Sequence, residues 1–386
     1  MKKNTIFKII CFLLPSIIAF QPFFPELMQL FFIYMRLLIA PIIILIYLHK
    51  HINIWLIILF AFYIISISLI NPPTDFRYFA LIFLSIFASI SYFKLGAYLN
   101  NFYKNQNDIY FISYIAYGVT FFNICSLIIY YFLGNGYLDP YTFFETANKE
   151  NIEMFRFSVG NPLEVPFVMT SLIILCIILL GNKQSFIYST FINAILTVIS
   201  QSRLLVIIAV LLFLYEFIRV DKRKKLIMAL LLYLIYPYIY LQYGDIVYSY
   251  FDRLSYLNDG SGTLRIYFLN IIMNNVSFMG AVFGEGLTSS VDLSSKYLGH
   301  NSTVESVLLQ FFYEIGVIGI VLFFSSLYIN KGKYYLPTGA MFFIIILMYV
   351  QTYFMLPIFT LLPFVYLMFG AATKSLTIND IHEKIL

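Results

Sequence analysis

Gly299-His300-Asn301-Ser302-Thr303-Val304-Glu305 runs directly into an apolar stretch that reaches Tyr328 and carries Glu314-Ile315-Gly316-Val317-Ile318-Gly319. At 1.5 Å per residue, about twenty apolar residues cross a bilayer as a helix, so this stretch reads as a membrane span entered from a long polar interruption. His300 then stands at the mouth of the span, where an imidazole titrates near neutral pH and can accept or hand on a proton.

The rest of the chain repeats the apolar theme. Of 386 residues, 61% are hydrophobic, 20% aromatic and 11% charged, a balance no ordinary soluble domain carries. Apolar stretches of spanning length recur from end to end. Only closed barrels and helices satisfy their backbone groups in lipid, and the uninterrupted runs select helices. The fold class expected is therefore all-α, a polytopic membrane protein forming a single membrane domain over 1–386. Lys2-Lys3 and the run from Ile9 to Phe20 imitate a signal peptide, but Gln21-Pro22-Phe23-Phe24-Pro25 follows in place of a small-residue cleavage site. An uncleaved first span is expected. Cys11, Cys125 and Cys176 each lie in an apolar segment, as small hydrophobes without a disulfide pattern.

Hydropathy predicts about twelve spans, near 6–20, 27–48, 54–70, 78–93, 109–133, 165–181, 185–200, 203–218, 226–243, 303–328, 336–352 and 354–373. Placing the N-terminus inside puts Lys2, Lys3, Lys8, Lys50, Lys94, Lys104, Lys183, the run Arg219 to Lys225, Lys331, Lys333, Lys374 and Lys384 on the inner side, satisfying the positive-inside rule. Both termini are then inside. Fourteen of the sixteen lysines are inner, whereas six of the eight arginines (Arg36, Arg77, Arg156, Arg203, Arg253 and Arg265) are outer or within spans. Orientation needs only charge, which lysine supplies. Arginine adds a planar fork that grips phosphate or carboxylate through two parallel hydrogen bonds, so an anionic ligand is expected on the outer side.

Two outer loops stand out, 134–164 and 244–302, the second too long for a plain connector. Within it Asn258-Asp259-Gly260-Ser261-Gly262 is turn chemistry. Thr263 is expected to cap a short interfacial helix bearing Arg265, whose first turn already favours an anion. Gly284-Glu285-Gly286 reads as a turn, because neither a preceding strand nor a following Lys-Ser/Thr makes it a nucleotide loop.

Among individual residues, His300 is the one outer histidine in this topology. It serves either as an interfacial cap or as the base or donor that addresses a sugar hydroxyl. Arg203, in Ser200-Gln201-Ser202-Arg203, opens a span and either snorkels or binds phosphate. Arg156 is a loop charge or a third phosphate ligand. Arg36 lies nine residues beyond Leu27, about 14 Å deep, and needs a partner or a water-filled cavity. Glu314 at comparable depth is its candidate counter-ion, in a structural or a functional pair. The aromatics of the 134–164 loop either stack on sugars or form the interfacial belt. No cluster has metal-ligand spacing, no cofactor is expected, and nothing points to nucleic acid.

Read in order, these stretches resemble the bacterial O-antigen ligase and O-antigen polymerase superfamily of inner-membrane glycosyltransferases. The resemblance is carried by Ser202-Arg203 opening a span, Thr263-Leu264-Arg265-Ile266-Tyr267 and Phe283-Gly284-Glu285-Gly286. It is strongest at His300-Asn301 followed by Glu314-Ile315-Gly316-Val317-Ile318-Gly319, with Arg156 and Asn161-Pro162 upstream. It implies about a dozen spans, a large late periplasmic loop, an undecaprenyl-pyrophosphate-linked oligosaccharide as donor and metal-independent inverting transfer. Arg156, Arg203, Arg265 and Arg77 would hold the pyrophosphate. His300 would engage the acceptor and, with Arg265, act as catalytic residue, while Asn301 joins the arginines in binding the substrate. Membrane lipid and a chain-length regulator protein are the implied partners. The arginine-rich repeated loop motif of some polymerases is absent from this sequence. Polymerisation of O-antigen repeat units is the activity expected, with ligation of glycan to lipid A–core as the alternative. A flippase for lipid-linked oligosaccharide is the competing class, but a transporter keeps its ionisable residues in the spans and its loops short.

Overall fold

The computed structural model describes residues 2–19, 26–48, 54–73, 76–105, 112–133, 164–181, 183–199, 203–233, 237, 260–298, 306–328, 333–334, 339–355 and 361–374. Among the described residues the regular structure is helical apart from one two-residue ladder. A helix falls in each of the twelve apolar segments predicted from hydropathy. Phe31–Leu48, Phe79–Asn100 and Val307–Leu327 are long and apolar enough to cross a membrane. Ile54–Ile70, Pro166–Leu180, Gly339–Val350 and Leu362–Ala371 are apolar but shorter.

Two compact units emerge, each built from discontinuous stretches: Met1–Gln29 with Asn107–Asp259, and Leu30–Gln106 with Gly260–Leu386. The chain passes from one unit to the other after Gln29, within an apolar helix, after Gln106, in the polar stretch Lys104-Asn105-Gln106-Asn107-Asp108, and after Asp259, in the turn-rich stretch before Gly260.

The first unit contains α1 (Lys2–Ala19), with α6 (Ser113–Leu133), α7 (Glu164–Leu180), α8 (Ile187–Ile199), α9 (Arg203–Arg219) and α10 (222–233). Gly118 lets the backbone of α1 approach α6 at Phe12, whose ring packs on Phe121 and Phe122 with centroids 5.6 Å apart. Hydroxyls and an amide link the helices: Thr120 donates to Ser189 at 2.8 Å, and the Asn193 amide donates to Thr170 at 2.8 Å. Such bonds serve in hydrocarbon, where no water competes. The tight connection between α7 and α8 is held by Glu216, which is 1% exposed. Its carboxylate accepts from the Phe186 amide at 2.8 Å and from the Ser185 hydroxyl at 3.2 Å. Arg219 completes the clasp, 3.3 Å from Glu216 and hydrogen-bonded to the Gly181 carbonyl. A carboxylate at the start of α8 also complements the helix dipole.

The second unit holds the candidate site. Its elements are most of α2 (Glu26–Tyr34), α3 (Ala40–Leu48), α4 (Ile54–Ile70), α5 (Phe76–Asn105), α11 (Gly260–Asn275), α12 (Phe278–Phe283), α13 (Ser289–Leu298), α14 (Val307–Tyr328), α15 (Gly339–Met355) and α16 (Leu362–Ala371). Ile82, Ile86 and Ile90 recur every four residues and so form one stripe of α5. They are 0% exposed and pack with Phe60, Phe311, Phe323 and Tyr366 into the core of the unit. Gly96 and Gly370 bring α5 and α16 into backbone contact: a Cβ on Gly370 would strike the Phe93 carbonyl. Strand β1 (Lys333–Tyr334) pairs antiparallel with β2 (Thr373–Lys374). The segment after α16 thereby returns beside the segment after α14.

Three expectations change. Helix α5 runs 30 residues instead of ending near 93, so Lys94, expected in a connector, lies mid-helix and is 5% exposed. Helix α11 starts at Gly260 rather than at a Thr263 cap. Asp259 directly precedes it in sequence and is a stronger N-cap type than threonine. Arg265 therefore sits beyond the first turn, where the pull of the helix terminus has largely faded. The late loop, read as holding one short helix, also contains α12 and α13.

Candidate functional site

Helix α14 breaks at Gly316, whose φ of 63° and ψ of −178° belong to a region open essentially to glycine alone. The break leaves carbonyls that the helix would otherwise satisfy. The turn Gly284-Glu285-Gly286 takes them: the Glu285 amide donates to the Tyr313 carbonyl at 2.8 Å, and the Gly286 amide to the Glu314 carbonyl at 3.1 Å. Gly284 and Gly286 have φ of 86° and 101°. A Cβ on Gly284 would lie 2.7 Å from the Ile315 carbonyl carbon. Tyr63 of α4 closes the junction, its hydroxyl 2.9 Å from the carbonyls of both Phe283 and Ile315.

The turn is secured on its other flank by the Glu285 side chain. Its carboxylate accepts from the Ser277 amide at 3.2 Å and the Ser277 hydroxyl at 2.9 Å. The same hydroxyl accepts from the Gly280 amide at 2.8 Å, so Ser277 caps α12. Beneath the turn, Glu314 is 0% exposed. One of its oxygens accepts from the Ser290 hydroxyl of α13 at 2.5 Å and from the Gln310 amide, one helical turn back, at 2.8 Å.

Among the described residues no ion pair joins Arg36 to Glu314, whose side-chain partners Ser290 and Gln310 are both neutral. Arg36 lies instead in a π-helical turn, Met35–Ile39, where its backbone carbonyl accepts from the Tyr92 hydroxyl at 3.2 Å. Counting residues along two helices gives comparable depth but not a common face.

A cleft of about 440 Å³ opens beside this junction. Its walls are the Asn71-Pro72 turn after α4, the Glu285–Ser289 segment, the Asp292-Leu293 and Lys296 face of α13, and Tyr313. Thr288, 0% exposed, lines the cleft with a positive φ of 75°, the one such non-glycine residue among those described. Asp292 lies in the first turn of α13 and Lys296 in the last, each suited to the dipole at its end and spaced i, i+4.

Of the residues singled out from sequence, His300, Asn301 and Arg156 lie outside the described residues. Arg203 is the first residue of α9 and Arg265 belongs to α11; nothing is described of either side chain. Arg77 is exposed at the second position of α5, five residues beyond Pro72 of the cleft. Sequence reading overlooked Tyr63, Thr288, Ser290 and Gln310. Hydroxyls and amides in apolar runs carry no spacing signal, and only the Asp292–Lys296 pair was open to detection.

Comparison with family models, with curated proteins and with solved structures finds no match to this chain.

Proposed function

We propose that this chain is a twelve-span glycosyltransferase of the bacterial inner membrane, with both termini cytoplasmic, that polymerises O-antigen repeat units at the periplasmic face. It would transfer the growing glycan from undecaprenyl pyrophosphate onto the next lipid-linked repeat. The observation that supports this best is the junction itself. Phe283-Gly284-Glu285-Gly286 and Glu314-Ile315-Gly316, two of the stretches on which the resemblance rests, are hydrogen-bonded to each other through main-chain atoms. Motifs some thirty residues apart that fold into one element are more than a chance coincidence of short strings.

The chemistry in this reading is a displacement at the anomeric carbon. An acceptor hydroxyl oxygen forms the new glycosidic bond as the bond to the pyrophosphate oxygen breaks. The hydroxyl proton passes to the His300 imidazole. Arg156, Arg203, Arg265 and Arg77 neutralise the charge that develops on the departing pyrophosphate, with Asn301 orienting the acceptor.

The test is complementation. In a strain lacking the gene, a His300→Ala form that reaches the membrane at wild-type level is expected to restore no long-chain glycan. A normal glycan ladder from that form would remove His300 from the reaction.

A further inference from the structure

We infer that the cleft beside the Gly284-Glu285-Gly286 turn is a saccharide subsite, holding a sugar unit of the glycan by its hydroxyls while the pyrophosphate is held elsewhere. The identity of the natural ligand rests on the polymerase reading; the ability of the cleft to bind a sugar does not.

Size is the first consideration. At about 440 Å³ the cleft falls within the range of small-ligand sites and is open enough for a ring to enter. Second, the Thr288 hydroxyl has no hydrogen-bond partner, although the residue is 0% exposed and lines the cleft. A buried hydroxyl left unpaired is unfavourable and is completed by a group that both donates and accepts. Third, the walls mix the two roles. Asp292 and Glu285 carry acceptor oxygens, Lys296 carries donors, and the Asn71 amide carries both. Sugar hydroxyls, each a donor and an acceptor, match such a lining, and Pro72 and Leu293 offer apolar surface to the C–H face of a ring.

The charge pattern excludes the other part of the substrate. Two carboxylates against one ammonium repel pyrophosphate, which is acceptor-only and doubly anionic or more. A divalent cation is also poorly served. One oxygen of Glu285 is already committed to the amide and hydroxyl of Ser277. No group of three or more potential metal ligands occurs among the described residues.

Saturation-transfer difference NMR tests the inference on the purified full-length chain in detergent, with the methyl glycosides of glucose, galactose, mannose and N-acetylglucosamine as probes. At least one glycoside is expected to give a signal. Asp292→Asn, at an exposed position, and Thr288→Val, which keeps the side-chain shape, should each weaken that signal at least severalfold. Asp221→Asn in the other unit should leave it unchanged. Silence from all four glycosides, or signals indifferent to both cleft variants, would overturn the inference. So would a cleft that binds calcium or inorganic pyrophosphate and no glycoside. Should Thr288→Val fail to fold, Asp292→Asn alone decides. Glycoside binding that responds to the variants, in a protein whose loss leaves the cellular glycan ladder intact, would sustain the subsite and defeat only the polymerase reading.

Discussion

The amide of Gly286 donates to the carbonyl of Glu314 at 3.1 Å, joining a turn in the late loop to a break in a helix long enough to span a bilayer. With the Glu285–Tyr313 bond beside it, this makes the turn and the break one element that neither sequence forms alone. Because its bonds are main chain to main chain, side-chain substitution cannot erase them directly. The glycines that permit the approach are the vulnerable points.

Gly316→Ala is therefore expected to destabilise the chain. The backbone conformation at Gly316 costs a residue with a Cβ on the order of 1–3 kcal/mol. The added carbon would also lie 2.6 Å from the Val282 carbonyl oxygen, in backbone that cannot swing away. Gly339→Ala is the control, since a Cβ there meets nothing within 4 Å and alanine favours the helix it starts. Thermal unfolding of the purified variants should show a clear loss for Gly316→Ala and none for Gly339→Ala. Equal stability of the two would mean that the break in α14 is not strained in this way.

Glu314 yields a second prediction, from what its removal leaves behind. Glu314→Leu strands the Ser290 hydroxyl and the Gln310 amide in a buried site, at about 1–3 kcal/mol for each unpaired group. Glu314→Gln keeps a carbonyl oxygen for both donors and should cost distinctly less. Chemical or thermal unfolding in detergent would rank the two. A leucine variant as stable as the wild type would show that the Ser290 and Gln310 bonds contribute nothing.

Arg265→Lys keeps the charge and loses the planar fork. If Arg265 grips pyrophosphate, lysine should reduce polymer formation by far more than a retained positive charge suggests. Arg203→Lys and Arg156→Lys should follow the same trend. Glycan ladders from strains carrying each variant provide the measure. Normal ladders from all three would make these arginines interfacial anchors.

The pattern of these residues explains which features were legible in the sequence. Helical segments are, because a run such as Ile54 to Ile70 states its structure in its composition. Gly284-Glu285-Gly286 is legible as a turn, since two glycines around one residue have few other uses. Its partner is not. Gly316 resembles any glycine in an apolar helix until Tyr63 and the turn are seen against it. Position along a helix estimates depth, which made Arg36 and Glu314 look like partners. Facing is set by packing, and packing gave Glu314 to Ser290 and Gln310. The cleft was hidden for a similar reason: Asn71, Thr288 and Tyr313 come from three separate stretches and share no spacing.

The central claim, that this chain polymerises lipid-linked O-antigen repeats, is tested most directly by the lipopolysaccharide of a strain from which its gene is deleted. The account predicts lipid A–core capped with a single repeat unit, restored to a full ladder by the wild-type gene and not by the His300→Ala form. A bare core with long polymer accumulating on the undecaprenyl carrier would contradict it and assign the chain to ligation. Loss of periplasmic repeat units altogether would contradict it and indicate transport.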